Sequence, residues 1–252
     1  MNTTREREVI RAFVDLSHEL TDDYDAVEML TALTGHCADL LDVAAAGLLL
    51  ADATGTLHLA AASSEGTGHL ETFQLQRNQG PCLDCYRDNA AVTVPDLAAQ
   101  TDRWPIFNRA ALTAGFRSVH ALPMRLGGRS IGTLGLFGAS TGLLGPDDLE
   151  LAQALAHVAS VAILNARSAG DRAAVATQLQ SALTSRIVLE QAKGVLAHTG
   201  DLEMGHSFEA LRRYARDHGL KLSEVAEALV ERRLPGELVL GHARTVGLLP
   251  HD

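Results

Sequence analysis

Cys82 and Cys85 stand two residues apart, just behind Gly80-Pro81, and that spacing invites a chemical reading. Proline suits the first turn of a helix, so a helix is expected over about 82–89. A helix N-terminus lowers a thiol pKa, and a Cys-x-x-Cys spacing lets one thiol attack the other. A redox switch or a thiol catalyst is therefore one expectation. The competing one is structural, with Cys82 packed inward from its turn and Cys85 a small residue on the same helix. Zinc is a weaker reading, because no second pair lies at ligand spacing. The third cysteine, Cys37, stands far from the pair, and three cysteines do not form the framework of a secreted disulfide scaffold. The eleven histidines are scattered, with no His-Glu-x-x-His, and no metal is expected.

Two further features could serve a ligand. Gly132, Gly135 and Gly138 recur at three-residue spacing but lack the Lys-Ser/Thr that follows a phosphate loop, so they predict close backbone approach within a strand. Trp104 precedes Pro105 at a helix start, where it can line a pocket or anchor a core. Cys82, Cys85 and Trp104 are the candidate ligand-pocket residues.

The last third of the chain carries the basic candidates. At 100° per residue, Val188, Leu189, Ala192, Val195 and Leu196 cluster on one helix face. Arg186 and Lys193 share the opposite side, with Glu190 between them. In the next helical pattern Phe208, Leu211, Tyr214 and Ala215 face one way, and Arg212, Arg213 and Arg216 the other. Leu222, Ala226, Leu229 and Val230 make a third stripe, with Arg232 and Arg233 near its end. Each helix buries one stripe, so a compact three-helix bundle is expected.

The net charge of −10 is unevenly spread. Residues 1–170 hold 11 Lys and Arg against 20 Asp and Glu, whereas residues 171–234 hold nine of each. The acid lies in the first two-thirds, and the neutral last third can still present a basic face. No run of about 18 apolar residues suits a membrane span. The polar first residues have no signal-peptide core, so a cytoplasmic protein is expected.

The elements that must position these residues follow from pattern and punctuation. Helices are expected over 5–20 and 24–42, then strands at Ala45–Ala51 and Leu57–Ala62 joined by a turn at Asp52–Gly55. Ser63–Gln79 reads as a polar stretch. A strand at Val92–Val94 and a helix at Trp104–Ala114 come next. The strands Ser118–Arg125 and Ser130–Phe137 flank Gly127-Gly128, a tight hairpin signal. From Asp148 a helical pattern runs to about His198, broken only by Gly170. Two shorter helices follow, near Ser207–His218 and Ser223–Leu234, with Gly219 capping the first and Ser223 opening the second. The first part is thus α+β with an antiparallel sheet, and the second is all-helical.

The first region resembles a GAF domain. The run QGPCLDCYRDNAAVTVPDL (Gln79–Leu97), the run from Trp104 to Gly138 and the closing helix from Asp147 carry the resemblance, over about residues 23–166. It is most similar to the GAF domains that precede ANTAR modules in actinobacterial-type regulators. The resemblance implies a small-molecule ligand, of unknown identity. The signature of cyclic-nucleotide GAF domains is missing. Free methionine-sulfoxide reductases use the same fold for catalysis, but they draw cysteines from separated segments, and here the hairpin region has none.

The last region resembles an ANTAR domain, through RIVLEQAKGVLAH (Arg186–His198) and SFEALRRYARDHGLKLSEVAEALV (Ser207–Val230), over about 178–234. The family often has Met where Ala197 follows Leu196. The resemblance implies binding to RNA hairpins and prevention of transcription termination. RNA loops are held through phosphates and through bases stacked on arginine or aromatic planes. Arg186, Lys193, Arg212, Arg213, Arg216 and Lys221 are then the candidate RNA contacts. A DNA-binding helix-turn-helix is the rival: the link from Leu196 to His206 has no tight turn, but the link from His218 to Leu222 is short enough for one, and the ANTAR resemblance decides between them.

The expected layout is an N-terminal helix (1–22), a GAF-like α+β sensor (23–166), a helical linker (167–177), an ANTAR-like three-helix bundle joined by a long helix (178–234), and a tail (235–252). Leu155, Val158, Ala162, Ala166, Ala169, Leu179, Ala182, Leu183 and Ile187 form a stripe that predicts a homodimer through the linker. The expectation is a non-enzymatic regulator. A GAF-fold thiol enzyme or sulfoxide reductase using Cys82 and Cys85, and a dimeric interaction module without nucleic acid, are the alternatives.

Overall fold

A computed structural model describes residues 3–18, 25–100, 102–165 and 172–250. The chain divides into two compact units, Met1–Leu183 and Thr184–Asp252.

The first unit is built on a sheet of β1 (Ala45–Ala51), β2 (Leu57–Ala62), β3 (Val92–Val94), β4 (Ser118–Leu126) and β5 (Arg129–Gly138). The spatial order is β2-β1-β5-β4-β3, and every neighbouring pair is antiparallel. The β4–β5 hairpin turns at Gly127 and Gly128, whose φ angles of 54° and 79° suit a two-residue turn with both positions left-handed.

The helices α1 (Thr3–His18), α2 (Ala26–Leu40) and α6 (Pro146–Asn165) serve one sheet face, where Leu16, Leu30, Leu33, Leu48, Leu50, Leu134, Leu136, Leu155 and Ala159 form a core. The helices α3 (Glu65–Arg77), α4 (Pro81–Asp88) and α5 (Pro105–Thr113) cover the other face. There Leu49, Leu70, Cys82, Trp104, Phe107, Val119 and Phe137 pack together. With both faces covered, β1 is buried at every position, so it reads as a continuous apolar run instead of an alternation.

The helix α3 occupies the stretch read as polar and irregular. Ser64 caps its start by accepting from the Thr67 amide, and Asn78 ends it in the left-handed region at φ 53°. Its buried face carries Thr67, Glu71 and Gln74. With Leu70 as the buried face's one large apolar residue, the stripe has helical spacing but is mostly polar, so hydrophobic periodicity misses it.

The long helical pattern is described as α6 and α7 (Arg172–Gly200). Gly170, Ala166 and Ala169 lie outside the described residues. The stripe assigned to a dimer seam divides. Leu155, Ala182 and Leu183 belong to the first unit's own core, whereas Ile187 is exposed.

In the second unit α7 continues into α8 (Met204–His218), α9 (Leu222–Val230) and α10 (Gly236–Thr245). Leu189, Ala192, Leu196, Leu211, Ala215, Leu222, Ala226 and Leu229 are its buried centre. Gly219, at φ 63°, ends α8 as its position predicts. Ser223 does not open α9. Lys221 stands at that position, without a side-chain cap. The segment read as an uninformative tail is α10, which packs on α8 and buries Val239, Leu240 and Ala243. The bundle thus has a fourth helix.

Gly135 is a point of close approach between β5, α3 and α4 in the sensor's interior. A Cβ there would lie 2.5 Å from Glu71 Oε1 and 2.9 Å from Cys82 Sγ. Gly135→Ala is expected to destabilise the fold by about 1–3 kcal/mol, the usual cost of overpacking. Urea denaturation checks this, and an unchanged midpoint would refute the tight packing.

Candidate functional site

The sensor's polar interior is assembled by α3 and α4 against the centre of the sheet. Gly80 precedes α4 at φ 150°, and Pro81 fixes the first turn. That places the Cys82 amide 3.2 Å from Gln74 Oε1, to which it donates. Gln74 in turn donates from Nε2 to Glu71 Oε2, and the Cys82 thiol lies 3.5 Å from Glu71 Oε1. Gly47 and Gly135 on β1 and β5 leave room for the Glu71 carboxyl, where any side chain would collide. A carboxyl, an amide and a thiol are therefore joined on one sheet face, each fully buried. On β5, two residues from Gly135, the buried Thr133 hydroxyl has no hydrogen-bond partner.

Burial pushes the Glu71 carboxyl up to about 8, against the lowering effect of its bonds to Cys82 and Gln74. It is thus largely protonated at neutral pH and can donate as well as accept. The same burial raises the thiols. Cys37 and Cys85 are pushed up to about 12, and Cys82 well above its ordinary value, with Glu71 and Cys85 adding to the rise. All three cysteines are free and buried. Desolvation opposes the helix-dipole effect at these thiols and favours their protonated form.

Trp104 is buried, packs edge-on against Phe107 and donates from Nε1 to Asp84 Oδ2 at 3.1 Å. The Arg103 guanidinium lies 4.3 Å from its ring centre and pairs with the same carboxylate. These bonds tie the start of α5 to α4 and place Trp104 in the same core as Cys82 and Cys85. Among the described residues, no group of three or more His, Cys, Asp or Glu is placed to hold a metal ion.

In the helical unit the basic candidates separate into two groups. Arg186 and Lys193 do not lie on an open face. Lys193 is 8% exposed, and both side chains close on Glu190, Arg186 at 2.7 Å and Lys193 at 3.0 Å. On α7, Leu189, Ala192 and Leu196 are buried as their stripe predicts, but Val195 is exposed and Lys193 takes a buried position. The long apolar stems of Lys and Arg let these residues take core-side positions while an acid neutralises their heads. The second group is on and next to α8. Arg213 is exposed and bonds Asp217 at 2.7 Å, Arg216 is exposed, and Arg212 and Lys221 are half-buried. Arg212, Arg216 and Lys221 each have a partner within the protein.

The residues that composition and spacing missed are Glu71 and Gln74 in the sensor and His242 in the helical unit, where His242 meets Asp217 at 2.8 Å. All three lie in segments read as irregular. Their signals were the spacing of Thr67, Glu71 and Gln74, and the apolar triplet Val239, Leu240 and Ala243.

The raised Glu71 pKa sets a pH dependence. Its folded value of about 8 lies above the ordinary 4.5. Stability from the protonated form is full below the ordinary value and is lost as pH rises through the folded one. Urea denaturation of the natural chain at pH 5 and pH 8 should therefore show a fall that Glu71→Gln does not share. Equal pH profiles for the two proteins would refute a buried carboxylic acid at this position.

The GAF domain family model matches residues 23–164, and the ANTAR domain model matches residues 177–230. No curated protein matches the chain. The fold is similar to the GAF domain of a phosphoenolpyruvate-protein phosphotransferase from Acinetobacter, at 14% identity and a TM-score of 0.51, over 68% of this chain and 99% of that one. It is also similar to free methionine-R-sulfoxide reductase from Neisseria meningitidis, at 18% identity and a TM-score of 0.50, over 68% and 96%. Both likenesses concern the fold. No described helix is long and apolar enough to cross a membrane. With a GAF domain over more than half its length and an ANTAR domain behind it, the chain belongs to the GAF family as a GAF and ANTAR domain-containing regulator.

Proposed function

We propose that this protein is a sensor-regulated antiterminator, in which a small ligand in the GAF domain controls how the ANTAR domain holds RNA hairpins. The observation that carries the reading is the order of the two domains along one helix. Ala182 and Leu183 of α7 are buried in the sensor's core, and Leu189, Ala192 and Leu196, on the following turns, are buried in the helical unit. A ligand that favours one packing of the sensor can thus bias the start of that helix, which is coupling in the thermodynamic sense.

RNA is met by the arginines of α8. Arg212, Arg213 and Arg216, with Lys221 beyond the turn, supply cations for phosphates and planar guanidinium groups for bases. Arg186 and Lys193, bound to Glu190, hold α7 within the bundle. The second copy in a homodimer packs along the exposed apolar residues of α7, Ile187 and Val195. The domain limits proposed are 23–166 for the sensor and 178 onward for the RNA-binding unit, which extends through α10.

Binding of the full chain to RNA stem-loops across a range of salt tests the reading. The affinity is expected to fall with salt, and Arg213→Gln with Arg216→Gln should flatten the logarithmic slope by about one for each arginine lost. No salt-dependent binding to any stem-loop, with the fold intact, would leave an interaction module without nucleic acid.

A further inference from the structure

The ANTAR match ends at residue 230, but the helical unit does not. Gly236 to Thr245 form α10, whose buried Val239, Leu240 and Ala243 seat it against the bundle. It thereby brings His242 to the outer side of α8. Tyr214 and His218 lie one turn apart on α8 with their rings stacked, 4.0 Å between centroids and 18° between planes. The His242 ring closes on both, 5.5 Å from Tyr214 and 5.0 Å from His218, nearly edge-on to the first.

Polar bonds fix this cluster from below. The Asp217 carboxylate accepts from Arg213 Nε at 2.7 Å and meets His242 Nε2 at 2.8 Å. One acid thus ties the ring on α10 to the guanidinium on α8. The Tyr214 carbonyl lies 2.8 Å from His218 Nδ1. A carbonyl only accepts, so Nδ1 carries the proton, and the imidazole is held in one orientation with Nε2 left over. His218 is exposed and Arg213 is 53% exposed, while Tyr214 and His242 are half-buried. Three rings set in a fixed arrangement, the outer one open to solvent and a guanidinium beside them, form a surface that every nucleobase can stack on.

We propose that Tyr214, His218 and His242 form a stacking platform for an unpaired RNA base, with Arg213 placed at the adjoining phosphate. The proposal rests on the RNA-binding reading above, and it makes α10 part of the RNA interface. The base stacks on His218, Tyr214 backs that ring, and His242 fixes the pair from the side. Arg213 supplies the charge and the rings supply the planar contact, so the two contributions differ in their response to salt.

The test uses the full chain and a pool of RNA stem-loops with randomised loop nucleotides, from which the bound sequences are recovered. Affinity for a recovered stem-loop is then measured at several salt concentrations. His218→Ala is expected to weaken binding about tenfold with an unchanged salt slope, because stacking releases no counterions. His218→Phe, which keeps a planar ring, is expected to retain binding. His242→Ala, a second route to the same surface, should also weaken it. Circular dichroism confirms that each variant is folded. Natural affinity in both alanine variants overturns the platform while leaving the RNA reading standing, and it is the outcome expected if this surface meets a protein. Loss of affinity in His218→Phe equal to that in His218→Ala overturns stacking in favour of a hydrogen bond. Recovery of no stem-loop by the natural chain overturns the RNA reading itself, and this proposal with it.

Discussion

A carboxyl group sealed inside the sensor constrains everything around it. Glu71 has no exposure, and it faces the middle of a sheet that is covered on both sides. Burying such a group is tolerable only when it is neutral or hydrogen-bonded, and here it is both. Gln74 and Cys82 must therefore stand where they do. Gly47 and Gly135 must lack side chains, and α3 must turn a polar face inward. The same burial raises the thiols of the Cys-x-x-Cys, and both cysteines pack in the sensor's core. A core that holds a protonated acid and an unpartnered Thr133 hydroxyl differs from an all-apolar one.

In the helical unit, charge is divided between structure and surface. Glu190 gathers Arg186 and Lys193 on α7, and the pairing removes two cations from the basic face that helical geometry predicts. Three further arginines lie on α8, where Arg213 and Asp217 meet His242 from α10. An overall net charge of −10 therefore says little about recognition, because the acids belong mainly to the sensor. The fourth helix makes the unit larger than the ANTAR match and adds a ring to its surface.

Much of this was legible in the sequence. All five strands follow from apolar runs and from turn residues such as Gly127-Gly128, whose positive φ angles the hairpin requires. The helices α2, α4, α5, α8 and α9 follow from apolar stripes and caps. The helix α3 was hidden because its buried stripe is mostly polar, with Thr67, Glu71 and Gln74 beside Leu70, and periodicity arguments count only apolar residues. The helix α10 was hidden because Pro235, Gly236 and Gly241 punctuate it, although Val239, Leu240 and Ala243 carry a helical spacing. Lys193 was placed on the wrong side of its helix for a related reason. A long side chain with an acid three residues away can be buried, and Ile187 and Val195 can be exposed, without disturbing the pattern of residue types.

The central claim is that a sensed signal acts on transcription through RNA held by the helical unit. Single-round transcription in vitro across a terminator that overlaps a stem-loop bound by the full chain tests it most directly. The account predicts that adding the protein raises read-through at that terminator and leaves an unrelated terminator unaffected. Unchanged read-through, with the stem-loop demonstrably occupied by the protein, would contradict it.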